Sequence, residues 1–309
     1  MAIAIANPIG SALGQLIPPF IDAGPRSSVL VLAVVTTVCL FLVFLIQDAP
    51  PTPPTFAGSR PSPPFKETLL ALIGRPRARP TSTSAAAGTE SEELLGVTFT
   101  NTERIDFAIL TLVFGVLVGA ISAFSILINQ IFAPVGYSDE SSGFIGAALL
   151  LTGLLAGLIT SPIFDRVLTH HLALTIRCVL PPMALAWIGM IFAVRPNNDA
   201  GIYVVACLIG IFGFLLLPVG LELGCEITRN ADGSAACLWM AGNLWTLIFV
   251  LVAEPLRDPN PPHNMRNELI LLAAVVSTAS LTIIKFTGHQ ARRALDVDKN
   301  KEANNIIAI

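Results

Sequence analysis

Long apolar runs separated by short polar clusters dominate the chain. They fall near residues 1–21, 28–46, 105–133, 143–164, 172–194, 201–225, 234–253 and 268–288. A helix crossing a hydrocarbon core roughly 30 Å thick needs about 20 apolar residues, and these runs are of that order. None shows the alternation over about ten residues that marks a membrane barrel strand. Lipid offers the backbone no hydrogen-bond partners, so each span must satisfy its own. The pattern therefore predicts eight transmembrane α-helices and an all-α, polytopic membrane fold.

The spacing of the runs is uneven: two helices, a long hydrophilic interval, then six helices. The interval at 47–104 is rich in Pro, Ser, Thr and Ala. Its apolar content is too sparse to offset chain entropy, which predicts a disordered linker. Within it, "PFKETLLALIG" at Pro64–Gly74 reads as a short helix, either transient or lying on the membrane surface with basic residues behind it. The domain plan is thus 1–46 (two helices), 47–104 (linker), 105–288 (a six-helix bundle) and 289–309 (a soluble tail).

Composition agrees with the pattern. Of 309 residues, 53% are hydrophobic and 13% charged, and the mean hydropathy is +0.73; a soluble globule of this size needs more charge to cover it. A net charge of −3 supplies no basic face for nucleic acid. The five cysteines, Cys39, Cys178, Cys207, Cys225 and Cys237, sit in or beside apolar runs without C-x-x-C spacing, which predicts neither disulfide nor metal roles. No cofactor is expected.

The basic residues are sorted by side. With eight spans, Arg26, Arg195, Arg257 and Arg266 fall on one side and the other fourteen of the 18 lysines and arginines on the opposite one. By the positive-inside rule both termini and the linker are cytoplasmic. The acidic loop "GYSDESSG" at 136–143 then faces outward.

Charge within the spans is sparse. In "LPVGLELGCEIT" at Leu217–Thr228, Glu222 and Glu226 lie one turn apart on one helix face near its cytoplasmic end, where a charge costs less than the roughly 2.5–3.5 kcal/mol of the bilayer centre. Arg229, Arg166 and Arg177 stand on the same side as expected partners. In "SPIFDRVLTHH" at Ser161–His171, Asp165 could cap a helix N-terminus and Arg166 could answer a carboxylate. His170 and His171 read as loop residues, since adjacent side chains diverge and no further ligand stands at metal spacing.

Three stretches carry a family resemblance. "ANPIGSALGQLIPPFI" at Ala6–Ile21, "ISAFSILINQIF" at Ile121–Phe132, and "LPVGLELGCEIT" followed by Asp232-Gly233-Ser234 resemble the fifth, seventh and tenth helices of the major facilitator superfamily group related to the feline leukemia virus subgroup C receptor. Members of that group carry choline, haem-related cargo or vitamin-like solutes. The resemblance implies a six-plus-six transporter working by alternating access, of which this sequence supplies helices five to twelve. Met1 stands where the fifth helix begins, which reads as an incomplete gene model or a degraded paralogue.

What the resemblance implies for the site follows residue by residue. The solute pathway between the halves is expected to take Asn7, Gln15, Ser122, Ser125, Asn129, Gln130, Asn243 and Trp245; Asn129 and Gln130 have interhelical hydrogen bonding as an equal reading. Glu222, Glu226, Arg229, Asp165 and Arg166 are expected to form a cytoplasmic gate or to couple a proton or other ion. Ser161 stands where the superfamily's loop signature has Gly. Gly115 and Gly119 form a small-xxx-small pair for helix packing. Where the choline carriers of the group have an aromatic followed by Ala this chain has Ser122-Ala123; where they have Gln it has Asn243 and Pro8; where they have Tyr-Pro it has Arg229-Asn230. The expected solute is therefore a small organic molecule, with choline not specified.

Two classes of function remain: a transporter of a small organic solute, or a non-transporting membrane protein acting by binding other membrane chains. An intramembrane enzyme finds no support, as neither His-Glu-x-x-His nor Gly-x-Ser-x-Gly occurs. The expected partners are the bilayer and the solute.

Overall fold

A computed structural model of the chain describes residues 10, 14, 25–41, 65–74, 99–166, 171–258 and 264–288. Its helices are α1 (Pro25–Leu40), α2 (Phe65–Leu72), α3 (Asn101–Phe132), α4 (Asp139–Arg166), α5 (Leu172–Ala193), α6 (Asp199–Thr228), α7 (Ala231–Ala253) and α8 (Arg266–Thr282). Short 3₁₀ turns extend α3 through Val135 and α8 through Lys285. Among the described residues the only β pairing is an isolated bridge between Asp258 and Asn264. Among the described residues six helices, α3 to α8, are long and apolar enough to cross a membrane. The first expected span, with Asn7 and Gln15, lies outside the described residues apart from Gly10 and Gly14. The second appears as α1, exposed at every position from Val29 to Phe41.

Helices α3, α4 and α7 begin earlier than the apolar runs, because polar residues build their caps. Thr100 starts α3 with a capping box: its hydroxyl accepts the Glu103 N–H at 3.3 Å, while the Glu103 carboxylate accepts the Thr100 N–H at 2.8 Å. The first residues of α3 had been expected in the linker. Ser138 does the same for α4, its hydroxyl accepting the Ser141 N–H at 3.1 Å.

α3 packs most extensively on α7, and α4 on α6; α5 and α8 pack together and close the bundle. Lipid removes the hydrophobic drive between helices, so close packing must hold them. Glycines permit it. A Cβ on Gly210 of α6 would stand 2.0 Å from the Leu149 carbonyl oxygen of α4, and one on Gly119 of α3 would stand 2.5 Å from Trp245 Cβ of α7. Gly115, one turn earlier, faces Trp245 and Ala241, so the small-residue pair is the seat of α7. In the core Phe124 meets Trp187 and Phe132 edge-on, at centroid distances of 5.8 and 6.1 Å.

Antiparallel succession puts Arg104, Arg177, Arg229 and Lys285 at one end of the bundle and Arg195, Arg257 and Arg266 at the other.

Candidate functional site

The arginine-rich end is tied together by side chains distant in sequence. α6 ends at Thr228 because Arg229 takes the left-handed conformation, φ 55°, with its N–H bonded to the Cys225 carbonyl. That turn sends the Arg229 guanidinium to Glu103, 2.7 Å away, on a carboxylate only 9% exposed. Arg229 had been expected to answer Glu222 or Glu226; the left-handed C-cap turns it to α3 instead. Arg177, another expected partner, donates to the Phe286 carbonyl.

Glu103 therefore both caps its own helix and holds the α6–α7 turn. Next to it Asn230 caps α7, its Oδ1 accepting the Gly233 N–H at 3.0 Å, and its Nδ2 donates to the Thr68 hydroxyl of α2 at 2.7 Å. Thr68 and Ala71 are buried. Thus α2, read from sequence as transient or lying on the membrane, is docked on the end of the bundle through a polar contact. Asp106, buried one turn after Glu103, accepts the N–H of Thr287 at 3.0 Å, the N–H of Gly288 at 2.9 Å and the Thr287 hydroxyl, fastening the segment after α8 to α3.

Glu222 lies six residues before the end of α6, about 9 Å along the axis. It is exposed and has no hydrogen bond or ion pair among the described residues. Glu226 is half-buried and partnered. Asp165 and Arg166 form the last turn of α4, and their side chains lie outside the description. His171 is exposed and precedes α5 without capping it through its side chain. No cluster of metal-binding side chains occurs among the described residues.

The pathway candidates gather on α3 and α7. Along α3 an uncovered stripe runs through Ile105, Ala108 and Leu112, passes under α7 at Gly115 and Gly119, and re-emerges at Ser122, Ile126 and Asn129. Ser122 and Ser125 are half-buried, and Ile126 and Asn129 exposed. Trp245 covers the two glycines and stacks at a tilt on Phe249, 5.4 Å away. Asn243 is exposed, with its amide donating to the Trp239 carbonyl of its own helix at 3.0 Å. Gln130 is set apart: it accepts from Arg257, beyond the end of α7, which makes it an interhelical tie.

Sequence reasoning missed Glu103, Asp106, Thr68 and Asn230. The capping signature Thr-x-x-Glu at 100–103 was the available signal for one of them; the others depend on contacts more than 150 residues apart.

Comparison with known proteins gives the arrangement a setting. No family model matches the chain. It is 25% identical over 308 residues to solute carrier family 49 member A3 of Danio rerio, covering 95% of this chain and 59% of that protein. It is 24% identical to the choline/ethanolamine transporter flvcr2a of Danio rerio, over 82% of this chain and 51% of that one. To the choline/ethanolamine transporter FLVCR1 of Felis catus it is 22% identical, over 84% and 44%. The resemblance read from three helices thus extends along most of the chain, which spans about half the length of these relatives. It is a multi-pass membrane chain similar to solute transporters.

Proposed function

We propose that this chain carries a small organic solute across a membrane by alternating access, with α3 and α7 forming one wall of the pathway. The observation that carries the reading is similarity to solute transporters over 95% of the chain, joined to an uncovered stripe on α3 that bears Ser122 and Asn129 beside Trp245 of α7. Uncharged polar groups in a span are costly against lipid and useful against a hydrated solute.

The end holding Arg104, Arg177, Arg229 and Lys285 faces the cytoplasm, by the asymmetry of basic residues. There the Glu103–Arg229 pair and the docked α2 brace the bundle, while Glu222 is left for a group outside it. We assign Glu222 to the gate, or to proton or other ion coupling. Choline and ethanolamine, named in the relatives, are the first solutes to test.

The experiment is uptake of labelled choline, ethanolamine and a panel of vitamins into proteoliposomes containing the chain. Saturable uptake above empty vesicles is expected for at least one solute, reduced in Ser122→Trp, with Glu222→Gln altering its rate or its dependence on an ion gradient. Uptake equal to empty vesicles across the panel would favour a binding role among membrane chains.

A further inference from the structure

At the end of the bundle opposite Lys285, the ends of α3 and α5 and the start of α8 line a cavity of about 430 Å³. Its lining is of two kinds. Val135, Ile191 and Val194 supply half-buried apolar walls over the buried Ile131 and Leu269, and Arg195 and Arg266 bring two guanidinium groups from different elements. Arg257, the other arginine at this end of the six-helix bundle, is engaged by Glu254 at 3.3 Å and by Gln130. Arg195 and Arg266 are exposed and form no ion pair among the described residues. Glu268, one residue before Leu269, is buried and does not line the cavity. Arg266 also opens α8, whose N-terminal N–H groups add positive potential.

Two free guanidinium groups select an oxyanion, and their planar forks suit the oxygens of a phosphate. A soluble anion would have no use for the apolar walls. The cavity lies at the ends of spanning helices, where a phospholipid places its phosphate above its acyl chains. We propose that this cavity binds a phospholipid from the leaflet at that end, its phosphate held by Arg195 and Arg266 and its acyl chain laid along Val135, Ile191 and Val194. A bound lipid would join α5 and α8, the pair that closes the bundle, to the end of α3.

The test is binding of phosphatidylglycerol, diacylglycerol and inorganic phosphate to the purified, delipidated full chain, followed by native mass spectrometry and thermal shift. Phosphatidylglycerol is expected to bind and to raise the melting temperature, and diacylglycerol is not. Arg195→Gln with Arg266→Gln is expected to weaken that binding by roughly tenfold or more, since each removes a charge-assisted hydrogen bond. Arg195→Lys with Arg266→Lys retains more of it than the glutamine pair, and Lys285→Gln, at the opposite end, leaves it unchanged. Should the double glutamine variant fail to fold, the two single variants read the same loss. Equal binding of diacylglycerol, undiminished binding by the glutamine variants, or an equal loss in Lys285→Gln overturns the proposal. Inorganic phosphate displacing the lipid and giving the same thermal shift alone would assign the cavity to a soluble anion instead.

Discussion

The α3–α7 contact allows a test in which one chemical change has opposite signs at two sites. In Gly119→Ala the new Cβ stands 2.5 Å from Trp245 Cβ and 3.0 Å from the Thr246 nitrogen, against the 3.4–4 Å of ordinary contact. The obstacles are a side-chain root and backbone, so neither can rotate away. The helices must part by roughly 1 Å, and overpacking of this kind costs about 1–3 kcal/mol. Replacing a helical glycine by alanine returns about 1 kcal/mol, leaving a net loss of up to about 2 kcal/mol. In Gly157→Ala of α4 the nearest atom, the Phe214 carbonyl oxygen, is 4.0 Å away, and the propensity gain stands alone. Thermal unfolding of the purified chain in one detergent is therefore expected to place Gly119→Ala below wild type and Gly157→Ala at or above it. If Gly119→Ala were as stable as Gly157→Ala, the reasoning that seats α7 on the glycines of α3 would fail.

Three further outcomes concern the arginine-rich end. Glu103→Gln keeps a capping side chain but removes the charge; in a double-mutant cycle with Arg229→Gln the coupling energy is expected near 1 kcal/mol, modest because Arg229 is 32% exposed. Thr68→Val removes the hydroxyl that accepts from the buried Asn230 amide, costing about 1 kcal/mol for the lost hydrogen bond; limited proteolysis around α2 is expected to speed up while the six spans stay protected. Asp106→Asn removes the charge that accepts two backbone N–H groups and a hydroxyl; proteolysis after Lys285 is expected to accelerate and the melting temperature to fall.

What could be read in the sequence follows from the range of the forces involved. The six described spans were legible because membrane insertion depends on summed apolarity over about 20 residues, a local quantity. The starts of α3 and α4 were not, because Thr100 and Ser138 belong to helices by virtue of hydrogen bonds made by polar side chains, and polarity had been read as loop. Gly115 and Gly119 were legible as a packing pair, though not the Trp245 they receive. The partner of Arg229 was out of reach: the choice between Glu222, about two turns away in the same helix, and Glu103, in a different one, is made by the φ of a single residue. The docking of α2 was equally hidden, since the sequence shows an amphipathic helix but not which apolar surface it finds.

The most direct test of the transporter account asks what solvent meets the uncovered stripe of α3. Ser122 on that stripe is half-buried and Leu185 of α5 is 67% exposed, so both reach the surface of the chain. A solute pathway makes one of them face water and leaves the other in lipid. Cysteines placed at Ser122 and at Leu185, in a background with Cys39, Cys178 and Cys207 replaced, are to be treated in membrane vesicles with a charged methanethiosulfonate and with a lipophilic maleimide. The account predicts that the charged reagent modifies the cysteine at 122 and spares that at 185, while the maleimide reaches 185. Modification of 122 by the lipophilic reagent alone would put that stripe in lipid and contradict a pathway along α3 and α7.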